Sequence, residues 1–107
     1  MRAVTNDATT AFLRAIRLNL LNFQGFALEE IRSRRWTSAT FAGARHELSF
    51  RLEGEGAEAA AKSFLARLRA AEFALRGHVL ADIALVSEKY DPGRVTIRIE
   101  ALTVEDG

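Results

Sequence analysis

The apolar residues in the first third of the chain recur at helical spacing. At 100° per residue, one broad face collects Ala8, Phe12, Leu13, Ile16, Leu20, Phe23, Ala27 and Ile31. Polar residues 5–7 can cap such a helix at its N-terminus. The pattern predicts a helix over residues 7–33, with a kink or break near 24-QGF-26 because glycine weakens a helix. The alternation of 16-IRLNL-20 leaves a short strand there as an alternative.

A period of two follows, and it indicates a β-hairpin. Residues 35–41 and 45–53 form two extended runs around 42-AG-43, where glycine can supply the positive φ of a tight turn. In the second run, one face carries His46, Leu48, Phe50 and Leu52. Charged and hydroxyl residues occupy the alternate positions, which is typical of a sheet with one buried face. Trp36, in the first run, is expected to join the core.

The second half of the chain repeats this order with a clearer helix. Residues 57–76 place an apolar stripe on one side, made of Ala57, Ala61, Phe64, Leu65, Leu68, Ala71 and Leu75. Gly77 is placed to end this helix in the left-handed conformation. Strands over 78–90 and 94–104 follow, joined by 91-DPG-93, whose proline and glycine are typical of a type II turn.

The resulting order is αββαββ, and it predicts an α+β fold. Two amphipathic helices and four strands are most simply arranged as a two-layer sandwich, with one four-stranded antiparallel sheet and both helices on one face. Residues 1–107 make a single domain of ordinary size. Weak similarity between residues 7–53 and 57–105 suggests a duplicated αββ unit.

The second face of this sheet should be polar, and part of it is not. Its predicted apolar residues are Phe41, Leu80, Ala84, Val86, Leu102 and Val104. A contiguous apolar patch on a small domain usually meets a partner. We expect a homodimer that forms through the sheet. A hydrophobic ligand, or cover from the chain's own first helix, are the alternatives.

Composition and charge narrow the classes of function. The absence of cysteine excludes disulfides and thiolate chemistry, and it is typical of a reducing compartment such as the cytoplasm. The formal net charge of +1 disfavours a nucleic-acid module. The early apolar run 11-AFLRAIRLNLLNF-23 is too short and too polar for a membrane span. We expect a cytoplasmic protein with no membrane partner and no cofactor.

His46 is the sharpest candidate for chemistry. Together with Trp36, Ser38 and Arg45 it predicts a small-ligand pocket, since a hydroxyl beside an imidazole resembles a nucleophile and its base. A third, orienting group is missing, because Glu47 points to the opposite side of its strand. The sequence therefore assigns no catalytic residue and no metal site, since two histidines without cysteine make a poor ligand set.

The run 32-RSRRW-36 is the best hint of nucleic-acid binding. Arg32, Arg34 and Arg35 are suited to phosphate, and Trp36 to stacking on a base. Arginine at the end of a helix, answering the helix dipole, is the structural alternative.

Taken together, the sequence favours a non-enzymatic interaction module that self-associates through its sheet. A small-ligand or weakly catalytic pocket around His46 is the second hypothesis. Nucleic-acid binding through the arginine run is the third.

Overall fold

The computed structural model describes residues 8–20, 23–69, 75 and 78–105. Its elements are helix α1 (Ala8–Asn19), strands β1 (Phe26–Thr37) and β2 (Ala42–Glu53), helix α2 (Ala57–Arg69), and strands β3 (His78–Asp91) and β4 (Arg94–Glu105). The strands form one antiparallel sheet in the order β1-β2-β4-β3. The predicted α+β sandwich of αββαββ order is confirmed.

Both helices pack on one face of the sheet, which we call the inner face, and the core lies between the two layers. Phe12 and Ile16 enter it from α1, and Phe64 enters it from α2. Phe50 on β2 is fully buried beneath them, with its ring 5.5 Å from that of Phe64 in an edge-to-face contact. Side chains of this size stabilise the fold by about 1.5–3 kcal/mol each when they are fully buried.

The long first helix was predicted wrongly, because α1 ends at Asn19 and β1 begins at Phe26. Residues 16–19 are helical, so the short strand considered there is wrong as well. The chain turns at Gly25, near the predicted break. A Cβ at Gly25 would lie 1.9 Å from the carbonyl oxygen of Glu53, so glycine permits β1 to start beside the end of β2.

The first hairpin closes through a longer loop than predicted. The loop is residues 38–41, and Ser38 organises it by donating its backbone N–H to the carbonyl of Phe41 while its hydroxyl oxygen accepts the N–H of Phe41. Gly43 lies inside β2, and its φ is not positive. The four-residue loop pairs Trp36 with Gly43, on the opposite face from His46. The predicted place of Trp36 in the core is therefore wrong.

The second half of the chain follows its prediction more closely. Helix α2 begins at Ala57, and β3 and β4 meet at a turn in which Gly93 has a φ of 70°. Leu75 is not helical, so α2 ends earlier than predicted. Residues 70–74 and 76–77, including the predicted cap at Gly77, lie outside the described residues. Among the described helices, none is long and apolar enough to cross a membrane.

Candidate interaction surface

The face of the sheet that turns away from the helices, which we call the outer face, is built from rows of paired residues. Reading β1, β2, β4 and β3 in turn, the rows nearest the 38–41 loop are Trp36–Gly43–Val104–Val79, Arg34–Arg45–Leu102–Asp82 and Arg32–Glu47–Glu100–Ala84. We call these three rows the upper half. The lower half begins with the row of Glu30, Ser49, Arg98 and Ser87.

The upper half exposes apolar side chains at its tip. Val79 is 51% exposed, and Val104 beside it and Leu102 in the next row are partly exposed. Phe41 in the adjoining loop is 58% exposed, and Val86 farther along β3 is 50% exposed. Exposed apolar residues clustered at one end of a small domain are typical of a binding surface.

Trp36 belongs to this tip because its ring lies against Gly43, its partner on the neighbouring strand. A Cβ on Gly43 would stand 2.8 Å from the indole Cζ2 and 2.0 Å from the carbonyl oxygen of Thr103. Glycine is needed at this position for close approach and not for a turn. The indole Nε1 is buried with no hydrogen-bond partner among the described residues. A ring placed over a glycine shields the exposed backbone of a sheet.

Two bulges in β3 change which residues reach the outer face. The pairing with β4 slips between Leu80 and Asp82, which leaves Ala81 without a partner, and slips again at Val86. Leu80 packs against the core and not on the outer face, so its predicted place was wrong. Val79 takes the exposed position instead. An interface role for Phe41, Ala84, Val86, Leu102 and Val104 stays a prediction.

The charges of the upper half are not paired with one another. Arg34 stands directly opposite Arg45 on the neighbouring strand, and Glu47 stands opposite Glu100. Like charges in directly opposed positions destabilise a sheet. Within the part of the chain that the structure describes, none of these four, nor Asp82, has an ion-pair partner within 4 Å.

The lower half shows the opposite arrangement. Arg51 reaches Glu29 at 3.3 Å and Glu53 at 3.1 Å, and Arg94 reaches Glu53 at 2.8 Å. The hydrogen bond to Glu29, followed by the charge of Glu53, raises the pKa of Arg51 above its ordinary value. The charges of Glu29, Arg51, Glu53 and Arg94 are therefore balanced within the chain itself, whereas Arg98 in the same half has no ion pair among the described residues.

His46 lies on the inner face and is fully buried, with its ring stacked 5.1 Å from that of Phe12. Its Nδ1 is 2.7 Å from the Ser33 hydroxyl, and its Nε2 is 3.0 Å from the Thr103 hydroxyl. The Thr103 hydroxyl donates to the carbonyl of Ala44, so it accepts from Nε2–H, and Nδ1 accepts from Ser33. Both ring nitrogens are satisfied, which accounts for the burial of a polar ring.

The pocket predicted around His46 is not assembled. Trp36 and Arg45 are on the outer face, His46 is on the inner face, and Ser38 belongs to the loop. The sequence also missed Ser33, the residue that does contact the imidazole. Its place opposite His46 follows only once β1 is known to be a strand in this register.

The arginine run lies on β1 and not at the end of a helix. Arg32 and Arg34 share the outer face, where they line a shallow cleft of about 390 Å³ with Arg45 and Glu47. Arg35 points to the inner side and pairs with Glu105 at 2.9 Å. The three arginines therefore do not form one basic surface. Arg32 and Arg34 do share a face, but the carboxylate of Glu47 lies beside them.

Comparison with known proteins supports the fold. No protein-family model matches the chain, and no curated protein matches its sequence. A chain from the virion of a native gene transfer agent particle is similar in structure, with a TM-score of 0.52, 16% identity and full coverage of both chains. The type 4 fimbrial biogenesis protein PilO from Pseudomonas aeruginosa gives a TM-score of 0.48 and 16% identity, over 92% of this chain and 68% of that one. The first similarity shows a shared fold.

Proposed function

We propose that the chain is a structural subunit of a multi-subunit assembly and that it self-associates through the outer face of its sheet. The observation that carries this proposal is the upper half, where exposed apolar residues lie beside charges without partners. In an isolated domain, exposed apolar side chains add no stability, and like charges in directly opposed positions lower it. Both become favourable when a second surface covers them.

The similar virion chain supports an assembly role. That chain is part of a particle, and the similarity covers its whole length. A place in a larger assembly is proposed for this chain as well.

The size of the outer face suits a stable contact. Twelve-residue strands extend about 40 Å, and four strands side by side are about 19 Å wide. Full overlap of two such faces would cover roughly 750 Å² on each partner, close to the roughly 800 Å² of a standard interface. Side chains such as Val79, Val104 and Leu102 supply the apolar part of that area; because they are already partly buried, each contributes about half or less of the roughly 1.5–3 kcal/mol that full burial of such a side chain gives.

We propose neither a catalytic role for His46 nor nucleic-acid binding by the arginines of β1. His46 is fully buried with both nitrogens bonded, so it presents no reactive group. The outer-face arginines stand beside Glu47 and Glu100, which would repel a phosphate backbone.

Sedimentation velocity across a concentration series tests the proposal. We expect the wild-type chain to shift from monomer to a larger species by high micromolar concentration, and Val104→Asp to stay monomeric. Ala59→Asp is the matched control, since it introduces the same charge at an exposed position of α2, on the other side of the sheet from the outer face. A wild-type chain that remains monomeric at high micromolar concentration would overturn the proposal.

A further inference from the structure

We infer that the occupant of the outer face is a second copy related by a two-fold axis that runs parallel to the strands, between β2 and β4, and that Arg34 of each copy pairs with Asp82 of the other. This inference rests on the proposed function, because it specifies how self-association occurs. It is carried by the order of residues within the rows, which is a separate observation from the exposure of the apolar tip.

The apolar tip selects the direction of the axis. A two-fold axis across the strands would reverse them, so the upper half of one copy would cover the charged lower half of the other unless only the tips overlapped. An axis parallel to the strands keeps each row on the same row of the partner. It also exchanges β1 with β3 and β2 with β4, as an isologous interface requires.

The first row is then complementary in shape. Trp36 faces Val79 of the second copy, and Gly43 faces Val104. The large Trp36 ring thus meets the smaller side chain of Val79, and Gly43, which has no side chain, leaves room for Val104 of the second copy. Large residues set against small ones allow two sheets to interdigitate.

The second row is complementary in charge. Reversing Arg34–Arg45–Leu102–Asp82 places Arg34 over Asp82, and Arg45 over Leu102, twice in each dimer. Neither Arg34 nor Asp82 has an ion-pair partner within its own chain in the described part of the structure. Sheets that pack face to face cross at about 30°, which moves an edge residue about 4 Å along the strand, within the reach of an arginine side chain.

The third row brings Glu47 over Glu100. Arg45 precedes Glu47 by two residues on β2, and Arg98 precedes Glu100 by two residues on β4, so each carboxylate has an arginine on the same face. Both arginines lack an ion pair in the described part of the single chain and can turn toward the carboxylates of the opposing copy. The third row is therefore balanced by neighbouring arginines when it is covered.

Two charge reversals test this register by sedimentation velocity. In a dimer of Arg34→Glu copies, the introduced carboxylate would face Asp82 twice, and in a dimer of Asp82→Arg copies, two arginines would face each other twice. We expect each variant alone to dimerise at least about tenfold more weakly than wild type. An equimolar mixture places every cation over an anion, so it should recover dimers of wild-type affinity.

The double variant and a matched control sharpen the result. A chain that carries both reversals should self-associate like wild type, because each new charge faces its complement. Arg32→Glu, on the same strand and face, lies over Ala84 of the second copy, so alone it keeps both Arg34–Asp82 pairs and should dimerise like wild type, but it should not form heterodimers of wild-type affinity with Asp82→Arg. Circular dichroism of each variant confirms that the fold is intact.

The outcomes separate the two proposals. Recovery by the mixture and by the double variant supports the register. Dimers that are abolished by Val104→Asp but do not respond to the charge reversals overturn the register and leave the proposed function standing. A wild-type chain that binds only a different protein or a nucleic acid, and never itself, overturns the second copy as the occupant.

Discussion

The two faces of the sheet use polar residues in opposite ways. On the inner face, His46 is surrounded by apolar side chains, and its two nitrogens meet Ser33 and Thr103. On the outer face, one residue away along β2, Arg45 faces another arginine and has no ion-pair partner in the described part of the chain. A buried polar group such as His46 needs its partners within the chain, whereas the exposed Arg45 is solvated by water and stays available to pair with a second surface.

The largest difference between the faces should appear on removing a large side chain. Phe50→Ala empties a fully buried position of the inner face, so we expect the free energy of unfolding to fall by about 3–5 kcal/mol. Val79→Ala, at a half-exposed outer position, should change it by less than about 0.5 kcal/mol. Urea denaturation at low protein concentration checks both values. Equal effects would show that Val79 is covered in the monomer.

Adjacent residues on β2 give a closer contrast. His46→Leu removes the partner of two hydroxyls and should lower the free energy of unfolding by about 1–3 kcal/mol. Arg45→Leu, the preceding residue but on the outer face, should leave it within about 0.5 kcal/mol of wild type. Thermal unfolding of the two variants side by side measures the difference. If Arg45→Leu destabilised the chain as much as His46→Leu, the Arg45 side chain on the outer face would contribute to the stability of the single chain.

Gly43 lies where the backbone of β2 is close to the Thr103 carbonyl of β4 and to the ring of Trp36. Gly43→Ala would bring its Cβ against the carbonyl of Thr103 and the ring of Trp36, which should cost about 1–3 kcal/mol of stability. Adding Trp36→Ala should not restore it, because the clash with the carbonyl remains. Urea denaturation of the single and double variants distinguishes the two contacts. Full rescue by Trp36→Ala would mean that the ring alone requires glycine.

The smallest effect is expected in the lower half. Glu53→Gln breaks partly exposed ion pairs with Arg51 and Arg94, so the loss in the free energy of unfolding should be about 0.2–1 kcal/mol and should shrink in high salt. Glu47→Gln removes a charge of the upper half that has no ion pair within the described chain, and it should cause no loss. Denaturation in low and in high salt checks both variants. A salt-dependent loss for Glu47→Gln would contradict the contrast between the halves.

Much of the fold follows from local patterns, and its exceptions arise at bulges. The alternation around Phe50 and the proline–glycine turn before Arg94 are each specified by a few neighbouring residues. The boundary of α1 is not, because Ala27 and Ile31, four residues apart, fit the apolar stripe of a helix, although the bulge between Leu28 and Glu30 places them on opposite faces of β1. That spacing is typical of a helix, so a bulged strand was interpreted as a helical continuation.

The sequence predicted that one face of the sheet carries an interaction surface, but it did not place every residue of that surface correctly. Excess apolar residues on one sheet face indicated an interaction surface, and Leu102 and Val104 do lie on that face. Leu80 was misplaced because the unpaired Ala81 reverses the alternation between the residues before it and those after it, and a sequence does not show where pairing slips. Trp36 was misplaced for a related reason, since adding a residue to the loop changes the face on which every residue before it lies.

The position of Trp36 has a spectroscopic consequence. It is the only tryptophan in the chain, and it lies over Gly43 at the tip of the outer face. Its fluorescence therefore originates from the surface on which a second copy is proposed to dock. Dilution of the unlabelled protein should move the emission to longer wavelength as water reaches the ring, so the chain carries its own optical reporter of assembly.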